Sequence, residues 1–197
     1  MITILKFQEI YSALNIEPDN EIRTAYNVMS VITGVSVDEY RQMKWKDFEK
    51  AQKEVTIPSI NEMPDEWVKE FEVNGERFYV NQFVTDWNTE QFISMTTLTK
   101  ERDSIILNLH LILATLCYKE KGELVSQTEF DRRASLFQEN LDVMTAYPIG
   151  FFFALTLAEL SQTTQYSLML KKTKMRLLWM SLKNHLGLLK NGDGITR

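Results

Sequence analysis

The sequence predicts a mainly α fold: a helical domain with one β-hairpin at about residues 68–80 and a basic amphipathic C-terminal helix. Three observations carry that prediction. Apolar residues recur at spacings of three and four in most segments, strand-like alternation occurs once, around Asn74-Gly75, and seven Gly and four Pro in 197 residues exclude a linker-rich or collagen-like chain. A composition of 44% hydrophobic and 25% charged residues can bury a sizeable core, and the length suits one compact body with a helical extension.

Ile4, Phe7, Ile10, Tyr11 and Leu14 draw one stripe on a short helix over 3–15, which Asn15 is suited to end. A second helix is predicted over 19–33, with Ile22, Ala25, Tyr26, Met29 and Ile32 on its apolar face and Gly34 as a left-handed cap. Ser36 and Glu39 have the spacing of a capping box, in which hydroxyl and carboxylate satisfy exposed amides reciprocally, so a short helix is expected near 37–42. Lys46 to Glu54 reads as another, with Trp45, Phe48 and Ala51 or Gln52 as its buried edge. Pro58 and Pro64 bracket an irregular connection.

The strand signal follows. Asn74-Gly75 readily takes the positive φ angles of a type I′ turn, and Phe71 and Val73 alternate against Phe78 and Val80 to give each strand one apolar face. An isolated hairpin is marginal in water, so that face is expected either to lie on neighbouring helices or to join another short strand. Asp86 or Asn88 can cap a helix running to about Leu98, and Asp103 a longer one. In the latter Ile105, Ile106, Leu109, Ile112, Leu113 and Leu116 form a broad stripe, and Leu107 and Leu111 add apolar surface that predicts burial on more than one side. Gly122 closes it. Ser126 and Glu129 repeat the capping-box spacing before Phe130, Ala134 and Phe137, with Asp131, Arg132, Arg133 and Glu139 assigned to solvent. Pro148 is expected to start or kink the next helix, which carries Phe151, Phe152 and Phe153. Met175, Leu178, Trp179, Leu182, Leu186 and Leu189 make the seam of the last.

Charge divides the chain. From Leu160 to Arg197 seven basic residues stand against Asp193 alone, a charge of +6, whereas the first 159 residues carry 15 basic and 26 acidic residues, a charge of −11. Two parts are therefore expected: an acidic body over 1–159 and a basic extension over 160–197 that packs on the body or on a neighbouring subunit. Lys171, Lys172, Lys174 and Arg176 are the candidate contacts to an anionic partner; no RGG run, zinc finger or RNA-recognition motif accompanies them, which ranks nucleic acid behind protein.

The search for chemistry returns no constellation. No phosphate-binding glycine loop occurs, and His110 and His185 belong to no metal-ligand pattern. The single Cys117 ends an apolar run with no activating neighbour, which predicts a buried thiol, no disulfide and a reducing compartment. Glu129 and Asp131 read as solvated. No enzyme activity, metal or cofactor is expected. The opening residues lack a basic stretch followed by an apolar one, so no signal peptide is expected, and the apolar window 149–160 is too short to cross a bilayer. Phe151-Phe152-Phe153 covers roughly 200° around a helix, so either one ring leaves the core to meet another protein or all three are buried. Trp179, Leu182 and Leu186 beside positive charges suit docking into a protein groove, a membrane surface or packing at home, with protein contact preferred.

VMSVITGVSVDEY at 28–40, VNGERFYV at 73–80, DWNTEQFISM at 86–95, LHLILATLCYKEKGE at 109–123 and RRASLFQENLDVMTAYPIGFFFAL at 132–155 together resemble small helical virion and tail-assembly proteins of tailed bacteriophages, those of Bacteroidetes-infecting phages in particular. The resemblance implies a non-enzymatic structural or assembly protein near the portal, neck or tail, located in the virion and in host cytoplasm during assembly. It implies as partners other phage structural proteins or a second copy of the chain. It also implies an alternative, ranked slightly behind: a cytoplasmic chaperone that binds the tape-measure protein. An accessory nucleic-acid binder using the basic C-terminal helix is a third reading. The basic terminal helix departs from the family pattern.

Overall fold

The computed structural model describes residues 1–55, 67–81, 83–100 and 102–160. They form a mostly helical protein with one small antiparallel sheet. The predicted C-terminal helix, with Lys171, Lys172, Lys174, Arg176, Trp179, Leu182 and Leu186, lies outside the described residues, as does the Pro58–Pro64 connection. The chain divides into two compact units, one containing residues 1–7 and 67–160, the other residues 8–55. Helix α1 (Ile4–Leu14) belongs in part to each.

In the unit of residues 8–55, α2 (Glu21–Thr33) begins where the Asn20 side chain accepts a hydrogen bond from the Arg23 amide. It ends where Gly34, at φ 77°, donates its amide to the Ser30 carbonyl. Only a residue without Cβ takes that left-handed conformation cheaply. Both halves of the predicted capping box form at α3 (Val37–Gln42): Ser36 Oγ accepts from the Glu39 amide at 3.2 Å and Glu39 Oε2 accepts from the Ser36 amide at 2.9 Å. Phe48 of α4 (Trp45–Glu54) packs edge-on against Tyr26 at 4.8 Å and Tyr40 at 5.5 Å, in a core completed by Ala25 and Met29. Two expectations fail here. Ile22 is 45% exposed, because the buried face of α2 is rotated toward Thr24, Ala25, Val28 and Met29. Trp45 is half-exposed at the very start of α4, where one flank of its ring lies on Phe48 and the rest faces solvent.

The other unit is built on the sheet and on the helix α7 (Leu109–Leu116). Strands β1 (Glu70–Val73) and β2 (Glu76–Val80) pair around Asn74 (φ 48°) and Gly75 (φ 79°) in register Phe71 to Phe78, the predicted hairpin. Both expected ways of covering its apolar face occur: β3 (Cys117–Tyr118) joins β2, and Phe71 and Phe78 lie against Phe137 of α8 (Gln127–Asn140) at 5.6 and 4.8 Å. A short 3-10 turn at Val84–Asp86 leads to α5 (Thr89–Leu98), which Asn88 and Gln91 cap reciprocally.

The predicted long helix from Asp103 is two: α6 (Arg102–Leu107) and α7 (Leu109–Leu116), separated at Asn108, whose short amide side chain bonds back to the Leu98 carbonyl in place of continuing the helix. Asp103 lies inside α6 rather than before it. The expected many-sided burial holds for α7, where Leu109 and Ile112 through Leu116 are all buried, while Leu107 is 43% exposed.

Helix α9 (Val143–Leu160) starts five residues ahead of Pro148 and holds it in its interior. Asp142 makes that start, its carbonyl accepting from Thr145 and Ala146 and its carboxylate from the Met144 amide. The strand-like exchange of Ile4 with Leu141 and Val143 with Ile2 fixes the chain's first residues to the same point. Gly150 lets α7 approach α9: a Cβ there would stand 2.4 Å from Leu109 Cδ1.

Candidate protein-contact site

Three successive phenylalanines project from α9 in different directions, since each residue turns the helix by about 100°. Phe153 is fully buried, Phe152 is 39% exposed and Phe151 is half-buried, stacked on Tyr147 at 5.4 Å. Phe152 and Phe153 meet edge-on at 5.1 Å. Trp67, just ahead of β1, lies against both, at 5.2 and 5.8 Å. Trp87 reaches Phe153 at 5.5 Å, its buried indole Nε1 hydrogen without a partner among the described residues. The four rings form a continuous aromatic cluster whose outer member is open to solvent. Exposed apolar residues also stand on α5 and before it: Phe83 at 62%, Phe92 at 43% and Ile93 at 58%.

A second cluster is made of charge. Arg133, assigned to solvent from the sequence, is the largest fully buried side chain of the described residues. Its guanidinium donates to the carboxylates of Glu123 and Glu129 and to the Cys117 carbonyl, and its Cζ lies 5.6 Å from the Phe78 ring centre. The reason for its burial is positional: with Phe130, Ala134 and Phe137 it occupies the i, i+3, i+4, i+7 stripe that faces the sheet. That interruption of an apolar stripe by arginine was the available signal.

Around it Arg132 makes a bidentate pair to Glu76 at 2.7 Å for each bond and also binds Glu129, while Lys119 bridges Glu76 and Glu129. Glu129, read as solvated and as half of a capping box, is spent on these arginines; Ser126 Oγ still accepts from the Glu129 amide, so the box is one-sided. Hydrogen bonds from Arg132 and Lys119 hold the Glu76 carboxyl down at about 2, and those from Arg132 and Arg133 hold Glu129 lower still. Burial is the largest single influence on both Arg133 and Glu123 and opposes their charges, but the bonds of Arg133 to Glu123 and Glu129, and those of Glu123 to Arg133 and to the Lys119 and Glu120 backbone, together outweigh it and keep both ionised. The arrangement binds β2, β3, the loop after it and α8 into one body, and each of its charges already has a partner.

Of the residues considered for chemistry, His185 lies outside the described residues. Cys117, on β3, is buried, and burial pushes its thiol far above neutrality, so it stays protonated. His110, half-buried on α7, is shifted down by burial toward its neutral form. Among the described residues no group of three or more His, Cys, Asp or Glu side chains is placed to hold a metal ion, and no helix is long and apolar enough to cross a membrane. Comparisons of the chain with protein-family models, with curated proteins and with solved structures find no match.

Proposed function

We propose that the chain is a non-enzymatic structural or assembly protein of a tailed-phage particle, acting through protein contacts near the portal, neck or tail, and present in host cytoplasm while particles are built. The observation that supports contact as its mode of action is the aromatic cluster. Phe152 is held in place from within by Trp67 and Phe153 yet remains 39% exposed, the form of a rigid aromatic anchor that loses little side-chain entropy on binding. The phage setting is supported by the resemblance of the five segments between 28 and 155.

Quantitative mass spectrometry of gradient-purified particles, alongside complexes from the same lysate, tests the proposal. A fixed copy number per particle is the expected result. Absence from particles with recovery on a long helical tail protein would replace it with the tape-measure chaperone, and absence from both would overturn the phage assignment.

A further inference from the structure

Among the described residues the sheet has a free edge. In the order β1-β2-β3 the hairpin's first strand is outermost, and among the described residues no strand pairs with its outer side. The donation from the Val80 amide to the Lys69 carbonyl at 2.9 Å makes residues 69 and 80 a hydrogen-bonded pair. With Phe71 opposite Phe78 and Val73 opposite Glu76, the alternation of an antiparallel ladder then directs the peptide groups of residues 69, 71 and 73 toward β2 and those of Glu70 and Glu72 outward. Their side chains stand on the sheet face opposite Phe78, both exposed, and among the described residues neither is in an ion pair. Across the ladder Glu72 faces Arg77 and Glu70 faces Tyr79, which stacks on Tyr118 at 5.8 Å.

Such an edge is a template for another strand, and its side chains decide which strand it accepts. A second copy pairing β1 to β1 would set glutamates beside glutamates, which is unfavourable, and an acidic segment meets the same obstacle. A strand with Lys or Arg at alternate positions places its cations next to Glu70 and Glu72 and continues the charge order already begun by Arg77 and Glu72. We propose that the outer edge of β1 receives an extended segment of a partner protein carrying basic side chains at every second residue, which adds a fourth strand to the sheet. This surface is distinct from the aromatic cluster and does not depend on the phage assignment.

The full-length chain, isotope-labelled for amide NMR, is titrated with the probe peptide Val-Lys-Val-Lys-Val-Lys-Val, with its Glu counterpart, and with a Lys peptide N-methylated at the lysines, whose amides face β1 when they stand directly opposite Glu70 and Glu72 in an antiparallel pair. Expected are binding of the Lys peptide at least about tenfold tighter than of the Glu peptide, loss of binding on N-methylation, and new exchange protection at the Glu70 and Glu72 amides. The double variant Glu70→Lys, Glu72→Lys changes only exposed side chains and is expected to reverse the preference. Equal or absent binding of the two peptides, protection elsewhere, or an unaltered preference in the variant overturns the proposal. So does protection of those two amides before any peptide is added: if independent of protein concentration it assigns the edge to this chain's own segment, and if it rises with concentration, to a second copy.

Discussion

The charged cluster around Arg133 and the aromatic cluster around Phe152 lie in the same compact unit, yet one is closed and the other open. Glu76, Lys119, Glu123, Glu129, Arg132 and Arg133 satisfy one another across three sequence segments, so a partner would gain nothing by approaching them without first breaking a bond. Trp67, Phe152 and Phe153 are packed inward but leave one ring in solvent, where apolar area can still be removed from water. The difference teaches that the dense charge around Arg133 is internal fastening, and that the proposed place for a partner is where side chains are ordered but unfinished.

Removing Arg133 breaks the comparison most strongly. Arg133→Ala leaves Glu123 and Glu129 without their buried counter-ion and opens space beside Phe78, so the unfolding free energy in urea is expected to fall by about 3–5 kcal/mol. Arg132→Ala, at a pair 42% and 30% exposed, should cost only a small part of that. A loss for Arg133→Ala no larger than for Arg132→Ala would show that the network does not fasten the sheet to α8.

Next in size is Gly150→Ala, where α9 meets α7. The new methyl would meet Leu109 Cδ1, and because Leu109 is itself 2% exposed it has little room to give. A loss of about 1–3 kcal/mol is expected despite the better helix propensity of Ala. Gly150→Ala with Leu109→Val should recover part of it.

Acid sharpens the comparison from the charged side. Glu76 is held down to about 2 in the folded chain and Glu129 lower, against an ordinary value near 4.3 when unfolded. Folded-state values below the unfolded ones contribute stability that is complete above about pH 5 and is lost as pH falls toward 2. The thermal midpoint is therefore expected to drop over that window, and Glu76→Gln to make the drop shallower. A midpoint as steep in the variant as in the natural chain would place the acid sensitivity elsewhere.

What could be read from the sequence was what neighbouring residues decide. The Ser36 and Glu39 box, the left-handed Gly34, the Asn74-Gly75 turn and the Asn88 cap each depend on groups within four positions, and each stands as expected. Arg133 was legible only in part: its place on the stripe of Phe130, Ala134 and Phe137 and its bond to Glu129 are local, its other bonds are not. Its partners Glu123 and the Cys117 carbonyl are ten and sixteen positions away, and only closure of α8 on the sheet brings them together. The helix break at Asn108 and the start of α9 ahead of Pro148 were likewise decided by contacts to Leu98 and through Asp142. Of the candidate contact residues, alternation around α9 told that the three phenyl rings point apart; which one reaches solvent was settled by Trp67, 85 positions from Phe152.

The smallest expected change in stability belongs to the most telling variant. Phe152→Ser removes a ring that is already 39% exposed, so the urea midpoint should move by no more than about 1 kcal/mol equivalent. Particles assembled with this variant in place of the natural chain, quantified by mass spectrometry after gradient purification, test the account most directly. A folded, soluble variant that is absent or strongly depleted from the particles is the predicted result; incorporation at the natural copy number would contradict the assignment of Phe152 as the protein-contact anchor.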